Sequence, residues 1–91
     1  MPQILQEFSL KLMNNILVSS SQEEVERHIH SIKKSLEDKH VKSHIILEFF
    51  EKIITHLKSL SPMNKNAQEW SNIQVARIFI HRTKNEMIIL Q

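Results

Sequence analysis

Residues 72–90 read NIQVARIFIHRTKNEMIIL, and the conformation of this stretch decides the fold. Read as a helix, it places apolar and small side chains along one face at spacings of three and four residues. These side chains are Ile73, Ala76, Ile80, Thr83 and Met87, with Val75 and Phe79 at the flanks. Read as strands, residues 75–82 and 87–90 form a hairpin across Lys84-Asn85, and the β-branched content favours this alternative.

The helical interpretation is favoured on two physical grounds. A single two-stranded hairpin attached to helices gains little stabilisation. The turn that it would need also lacks glycine. Because short connections make successive helices antiparallel, the sequence predicts an all-α, four-helix up-and-down antiparallel bundle that forms one domain over residues 1–91. Three helices plus a C-terminal β-hairpin is the alternative.

Serines at 19–21 separate the first two helices. Ser21 followed by Glu24, or Ser20 followed by Glu23, has the spacing of a capping box, in which each residue satisfies a free backbone N–H of the other. This pattern predicts that the second helix starts directly after the serines.

Two further boundaries divide the rest of the chain. Residues 38–43 mark a softer break, and the third helix is expected to begin near Ser43. Proline at 62 stops the third helix near Leu60 and suits the first turn of the fourth, with Ser61 as its N-cap. Asn66 with Glu69 offers a later start for the fourth helix.

The first three helices differ in the width of their apolar faces. The second has a narrow stripe, made of Val25, Ile29, Ile32 and Leu36. The first is apolar over well over half of its circumference and the third over roughly 200°, so both are expected to be central and to leave apolar surface for a partner. The first contributes Ile4, Leu5, Phe8, Leu12 and Ile16, and the third contributes Ile46, Phe50, Ile53, Leu57 and Leu60.

Composition excludes several kinds of site. The chain of 91 residues contains no glycine, which removes phosphate-binding loops and dinucleotide-binding turns. It contains no cysteine, which removes disulfides, thiolate nucleophiles and cysteine-ligated zinc. No serine lies in a recognisable nucleophile setting, so we expect a protein that is not an enzyme and has no cofactor.

The N-terminal stretch and the hydropathy favour a cytoplasmic protein. Residues 1–18 have no basic region before the apolar run, and Gln6, Glu7 and Lys11 interrupt that run. No stretch approaches 18 uninterrupted apolar residues, so no membrane span is predicted. We therefore predict a cytoplasmic location without membrane attachment.

Four of the six histidines lie within residues 28–44. His28 and His30 point in nearly opposite directions on a helix, so they cannot chelate one ion together. His40 and His44 have the spacing of a metal-binding pair, but His40 is expected in a loop, and catalytic zinc normally needs three protein ligands. No metal site is predicted, and His40 with His44 is the weak candidate.

The segment His30-Ser31-Ile32-Lys33-Lys34-Ser35 resembles the phosphoacceptor motif of histidine phosphotransfer domains, H-x-L-K-G-S. These domains are four-helix bundles that relay phosphoryl groups between receiver domains. The resemblance implies that His30 accepts the phosphoryl group and that Lys33 assists it. Lys34 stands where the family has a glycine, and the match covers six residues.

The net charge of +2 comes entirely from the last third of the chain. On a helix, Arg77, His81 and Lys84 share one polar face, and Arg82 lies further round. This basic patch could bind an acidic partner or nucleic acid, although three full charges without interleaved aromatic residues disfavour nucleic acid. The leading hypothesis is a protein–protein interaction module, including self-association as a homodimer. Phosphotransfer at His30 and binding through the basic patch are the alternatives.

Overall fold

The computed structural model describes residues 3–90, with side chains described up to Ile89. Within that range the chain forms four helices and no strand: α1 (Gln3–Val18), α2 (Gln22–Asp38), α3 (Ser43–Ser59) and α4 (Ala67–Leu90). Successive helices run antiparallel and pack into a four-helix bundle. The predicted fold is therefore confirmed, and the hairpin alternative for residues 75–90 is wrong.

The helical spacing of the sequence identifies the core of α2 and α4. The four residues of the predicted α2 stripe are all buried. The five residues that decided the conformation of α4, Ile73, Ala76, Ile80, Thr83 and Met87, are buried as well. They belong to the same buried cluster as two aromatic rings of α3, Phe49 and Phe50, whose centroids lie 5.5 Å apart in an edge-to-face arrangement.

The central helix is α4, which corrects the expectation that α1 and α3 both occupy the centre. α4 packs extensively on α2 and α3 and also contacts α1, whereas α3 contacts α1 and α2 only sparingly. α1 consequently buries part of its wide apolar face and leaves Ile4, Leu10 and Val18 exposed. No helix within residues 3–90 combines the length and the hydropathy needed to cross a membrane.

The predicted start of α2 is confirmed, with a variation in the cap. The hydroxyl of Ser21 accepts a hydrogen bond from the Glu24 N–H at 3.2 Å. The Glu24 carboxylate accepts hydrogen bonds from Ser20 instead of Ser21, from its N–H at 2.7 Å and its hydroxyl at 3.0 Å. These two hydrogen bonds lower the pKa of the Glu24 carboxyl.

The start of α4 lies at the later of the two predicted positions. Asn66 and Glu69 form a reciprocal capping box, since the Glu69 N–H donates to the Asn66 side chain at 2.8 Å and the Asn66 N–H donates to the Glu69 carboxylate at 3.0 Å. This satisfies two backbone donors that a helix start would leave free. Ser61 and Pro62 therefore belong to the connection between α3 and α4.

α2 ends in a Schellman motif, which normally uses glycine. The N–H of His40 donates to the Glu37 carbonyl at 2.9 Å, and the N–H of Val41 donates to the Leu36 carbonyl at 3.1 Å. The motif needs a left-handed backbone, and His40 supplies it with a φ of 62°. In a chain without glycine, this residue carries a steric cost at its Cβ.

We expect the substitution His40→Gly to raise the free energy of unfolding by about 1 kcal/mol, because glycine adopts a left-handed backbone without that cost. Urea denaturation measures the change. Lys39→Gly is the matched control, since Lys39 has a φ of −90° and gains no steric relief. Equal stability of the two variants would contradict the prediction.

The end of α1 depends on a side chain from α4. Asn72, which is 1% exposed, donates from its amide Nδ2 to the Ser19 carbonyl at 2.6 Å and to the Leu17 carbonyl at 3.5 Å. The last carbonyls of a helix have no partner within that helix. Asn72 therefore satisfies carbonyls at the end of α1 and joins α1 to the first turns of α4.

Candidate functional site

A groove separates α1 from α3, the two helices with the widest apolar faces in the sequence. Its volume is about 490 Å³. Three apolar side chains of α1 line it, Leu10, Met13 and Leu17, together with Leu60, which directly follows α3. Leu10 is 69% exposed although it faces a groove. The groove exists because α1 and α3 contact each other only sparingly, while both pack on α4.

The ionisable side chains that line this α1–α3 groove are all basic. Lys52 and His56 extend from α3, and Lys65 lies in the connection to α4. Ser9 and Asn14 of α1 are the other polar side chains that line it. Within residues 3–90, neither lysine forms an ion pair. The groove therefore combines an apolar floor with an unneutralised positive rim.

The predicted basic patch does not form one continuous face. Arg77 and His81 line a second groove, between α3 and α4. Arg82 lies on the side of α4 that faces α2, beside Gln22 and Glu26. Lys84 is directed toward α3, where it pairs with Glu51. The predicted helical spacing along α4 is confirmed, but the neighbouring helices place the four residues in three different environments.

His30 and its neighbours have the burial that the phosphotransfer motif requires. His30 is exposed and Ile32 is buried, so the imidazole is accessible on the surface of α2. The Lys33 ammonium forms an ion pair with Glu37 at 2.9 Å, one turn further along the helix. Lys34 is exposed and pairs with Asp38 at 3.6 Å. Each lysine near His30 is therefore engaged by a carboxylate of its own helix.

The weak metal candidate, His40 with His44, spans the end of a loop. His40 is exposed in the left-handed position after α2, and His44 is exposed in the first turn of α3. Because His40 is outside the helix, the spacing of four residues does not place the two rings on one helical face. In the part of the chain from residue 3 to residue 90, no three His, Asp or Glu side chains form a cluster suited to a metal ion.

Sequence reasoning did not identify the residues that complete the two grooves. Lys52, Lys58 and Lys65 look like ordinary solvated lysines in the sequence, and Gln74 carries no motif. They become part of a site only because different helices bring them beside apolar side chains. The one sequence feature that points to a groove is the apolar surface of the first and third helices that the bundle is predicted to leave uncovered.

Comparisons with protein-family models, with curated proteins and with solved structures find no match to this chain.

Proposed function

We propose that this bundle is a non-catalytic protein–protein interaction module that binds an amphipathic helix of a partner protein in the α1–α3 groove. The observation that carries the proposal is the exposed Leu10 beside Met13, Leu17 and Leu60. Leu10 and Leu17 lie two turns apart, about 10 Å along α1. A partner helix with apolar residues at i, i+3 or i+4, and i+7 matches that length.

The positive rim of the α1–α3 groove favours a partner helix with acidic side chains. Lys52, Lys65 and His56 would face carboxylates on the flank of the partner helix, and such complementarity increases both specificity and association rate. A second copy that docked groove against groove is a poorer match, because Lys52 and Lys65 line the groove of each copy. Self-association through this groove would therefore bring like charges together.

The proposal predicts that binding depends on the sign of the charge on the peptide. A synthetic amphipathic helix with leucines at i, i+3 and i+7 and glutamates on its flanks should bind at least about tenfold more tightly than the same peptide with lysines, a difference of about 1.4 kcal/mol. Calorimetric titration measures both affinities. The affinity of the acidic peptide should also fall with salt, because the rim is exposed to solvent.

Two substitutions of exposed residues test whether the peptide binds in the α1–α3 groove. Leu10→Glu places a carboxylate at the groove and should abolish binding of the acidic peptide. Ile89→Glu is the matched control, because Ile89 is 80% exposed on α4 and does not line the groove. Equal losses in the two variants, or no binding by the wild type, would refute the proposal. A dimer in sedimentation that Leu10→Glu converts to a monomer would assign the groove to a second copy.

A second candidate function is phosphoryl transfer through His30, favoured by its exposure together with the burial of Ile32. Incubation with a phosphorylated receiver domain should label the wild type and the control His28→Gln, but not His30→Gln. Label retained by His30→Gln would exclude this candidate. The nucleic-acid alternative gains no support from the geometry, because Lys84 is neutralised by Glu51 and Arg82 faces a different helix from Arg77.

A further inference from the structure

The groove between α3 and α4 lies on the opposite flank of α3 from the proposed helix-binding groove. Its volume is about 350 Å³, within the range of small-molecule sites. Ile54 and Ile78 provide its apolar walls. Four polar side chains complete the lining: Lys58, Gln74, Arg77 and His81.

The polar side chains of this α3–α4 groove offer hydrogen-bond donors. Lys58 and Arg77 have only donors, and His81 keeps at least one ring N–H in either protonation state. Gln74 has one acceptor, Oε1, and the Arg77 guanidinium already donates to it at 3.2 Å. No carboxylate lines the groove, and the ion pairs found within residues 3–90 do not include Lys58, Arg77 or His81.

The side-chain amide of Gln74 indicates what kind of group this groove binds. Because the Arg77 guanidinium can only donate, it fixes the amide with Oε1 toward Arg77 and Nε2 away from it. Nε2 is buried and has no hydrogen-bond partner among residues 3–90. A buried donor without an acceptor is costly and uncommon in folded proteins. This donor gains an acceptor if the Gln74 side chain turns toward a molecule that binds in the groove.

We propose that the α3–α4 groove binds a small monocarboxylate with an apolar body. The carboxylate has two acceptor oxygens for a lining that is rich in donors, and Arg77 can bind it through two N–H groups. The apolar body lies between Ile54 and Ile78. Inorganic phosphate satisfies the donors equally but leaves both isoleucines uncovered, so it binds more weakly than an acid with an alkyl chain.

The probe is octanoate, with octanol and octylamine as ligands that have the same chain without a carboxylate. Titration of the ¹⁵N-labelled chain follows the side-chain NH₂ resonances of Gln74, which report directly on a new acceptor. Octanoate should shift these resonances in a saturable manner. Octanol, octylamine and inorganic phosphate should require concentrations at least about tenfold higher for a comparable shift.

Three variants locate the carboxylate. Arg77→Gln removes the guanidinium and should weaken octanoate binding about tenfold or more. Ile78→Glu adds a carboxylate at a side chain that is 64% exposed, so the chain should fold normally and lose binding. Arg82→Gln removes a cation outside the groove and is the matched control. Circular dichroism confirms that each variant is folded.

Four results would overturn the proposal: no saturable shift with octanoate, equal binding of octanol, equal binding of phosphate, or equal effects of Arg77→Gln and Arg82→Gln. The substitutions lie outside the α1–α3 groove, so the helical-peptide titration remains a separate test of the proposed function.

Discussion

The substitution Phe50→Ala is expected to lower the free energy of unfolding by about 3 to 5 kcal/mol, the usual cost of removing a buried phenylalanine ring. Phe50 is 0% exposed and lies edge-to-face with Phe49. A domain of this size has a total stability of about 5 to 14 kcal/mol. The variant therefore loses a large share of its stability, and urea denaturation followed by circular dichroism measures the loss.

The matched control for this substitution is Phe79→Ala. Phe79 is partly buried and packs on the outside of the same core. Its truncation removes fewer contacts and leaves a space that solvent can enter, so the loss should be less than about half of that at Phe50. A similar loss at both positions would show that Phe50 does not lie at the centre of the core.

The substitution Asn72→Leu should cost about 1 to 3 kcal/mol, because it leaves the buried carbonyl of Ser19 without a donor. Leucine has a similar size, so the main change is the loss of the hydrogen bonds to the end of α1 and of the one that Asn72 accepts from the Gln68 amide. Thermal or urea unfolding gives the total loss. Hydrogen exchange should show faster opening at the last turn of α1 than at α2.

A charged variant distinguishes the lost donor from a general packing defect. In Asn72→Asp, an ionised carboxylate faces the carbonyls of Leu17 and Ser19 and cannot donate. Burial raises the folded-state pKa of this new carboxyl, so the variant gains stability relative to the wild type as the pH falls and the group becomes protonated. A stability difference from the wild type that stays constant between about pH 7 and about pH 4, a range that spans the titration of such a carboxyl, would contradict the buried contact of residue 72 with these carbonyls.

The helices could be predicted from the sequence because their apolar residues recur at spacings of three and four. The buried stripe of α2 and the face of α4 that carries Ile73 and Met87 illustrate this directly. Capping patterns were equally informative where both partners are close in sequence, as with Ser21 and Glu24. Between two available starts of α4, the sequence favoured Ser61-Pro62, whereas the reciprocal cap of Asn66 and Glu69 determines the actual start.

The packing order and the candidate sites could not be predicted from these local patterns. The apolar width of α1 predicts a central helix, but centrality depends on how closely the helices pack, and α4 packs on the other three more extensively than α1 does. The predicted basic patch is not one continuous surface, and the cause is again packing between helices: α3 provides Glu51 as a partner for Lys84. Both grooves arise from distances between helices, which hydropathy does not encode.

The central position of α4 also has a consequence for the order of events during synthesis. The hydrogen bond between Asn72 and Ser19 joins residues 53 positions apart, and α3 finds most of its packing on α4. A nascent chain that has reached only Asn66 therefore exposes apolar faces on all three completed helices. Contacts this distant in sequence form late and slow folding. Until α4 leaves the ribosome, the chain presents the kind of surface that molecular chaperones bind.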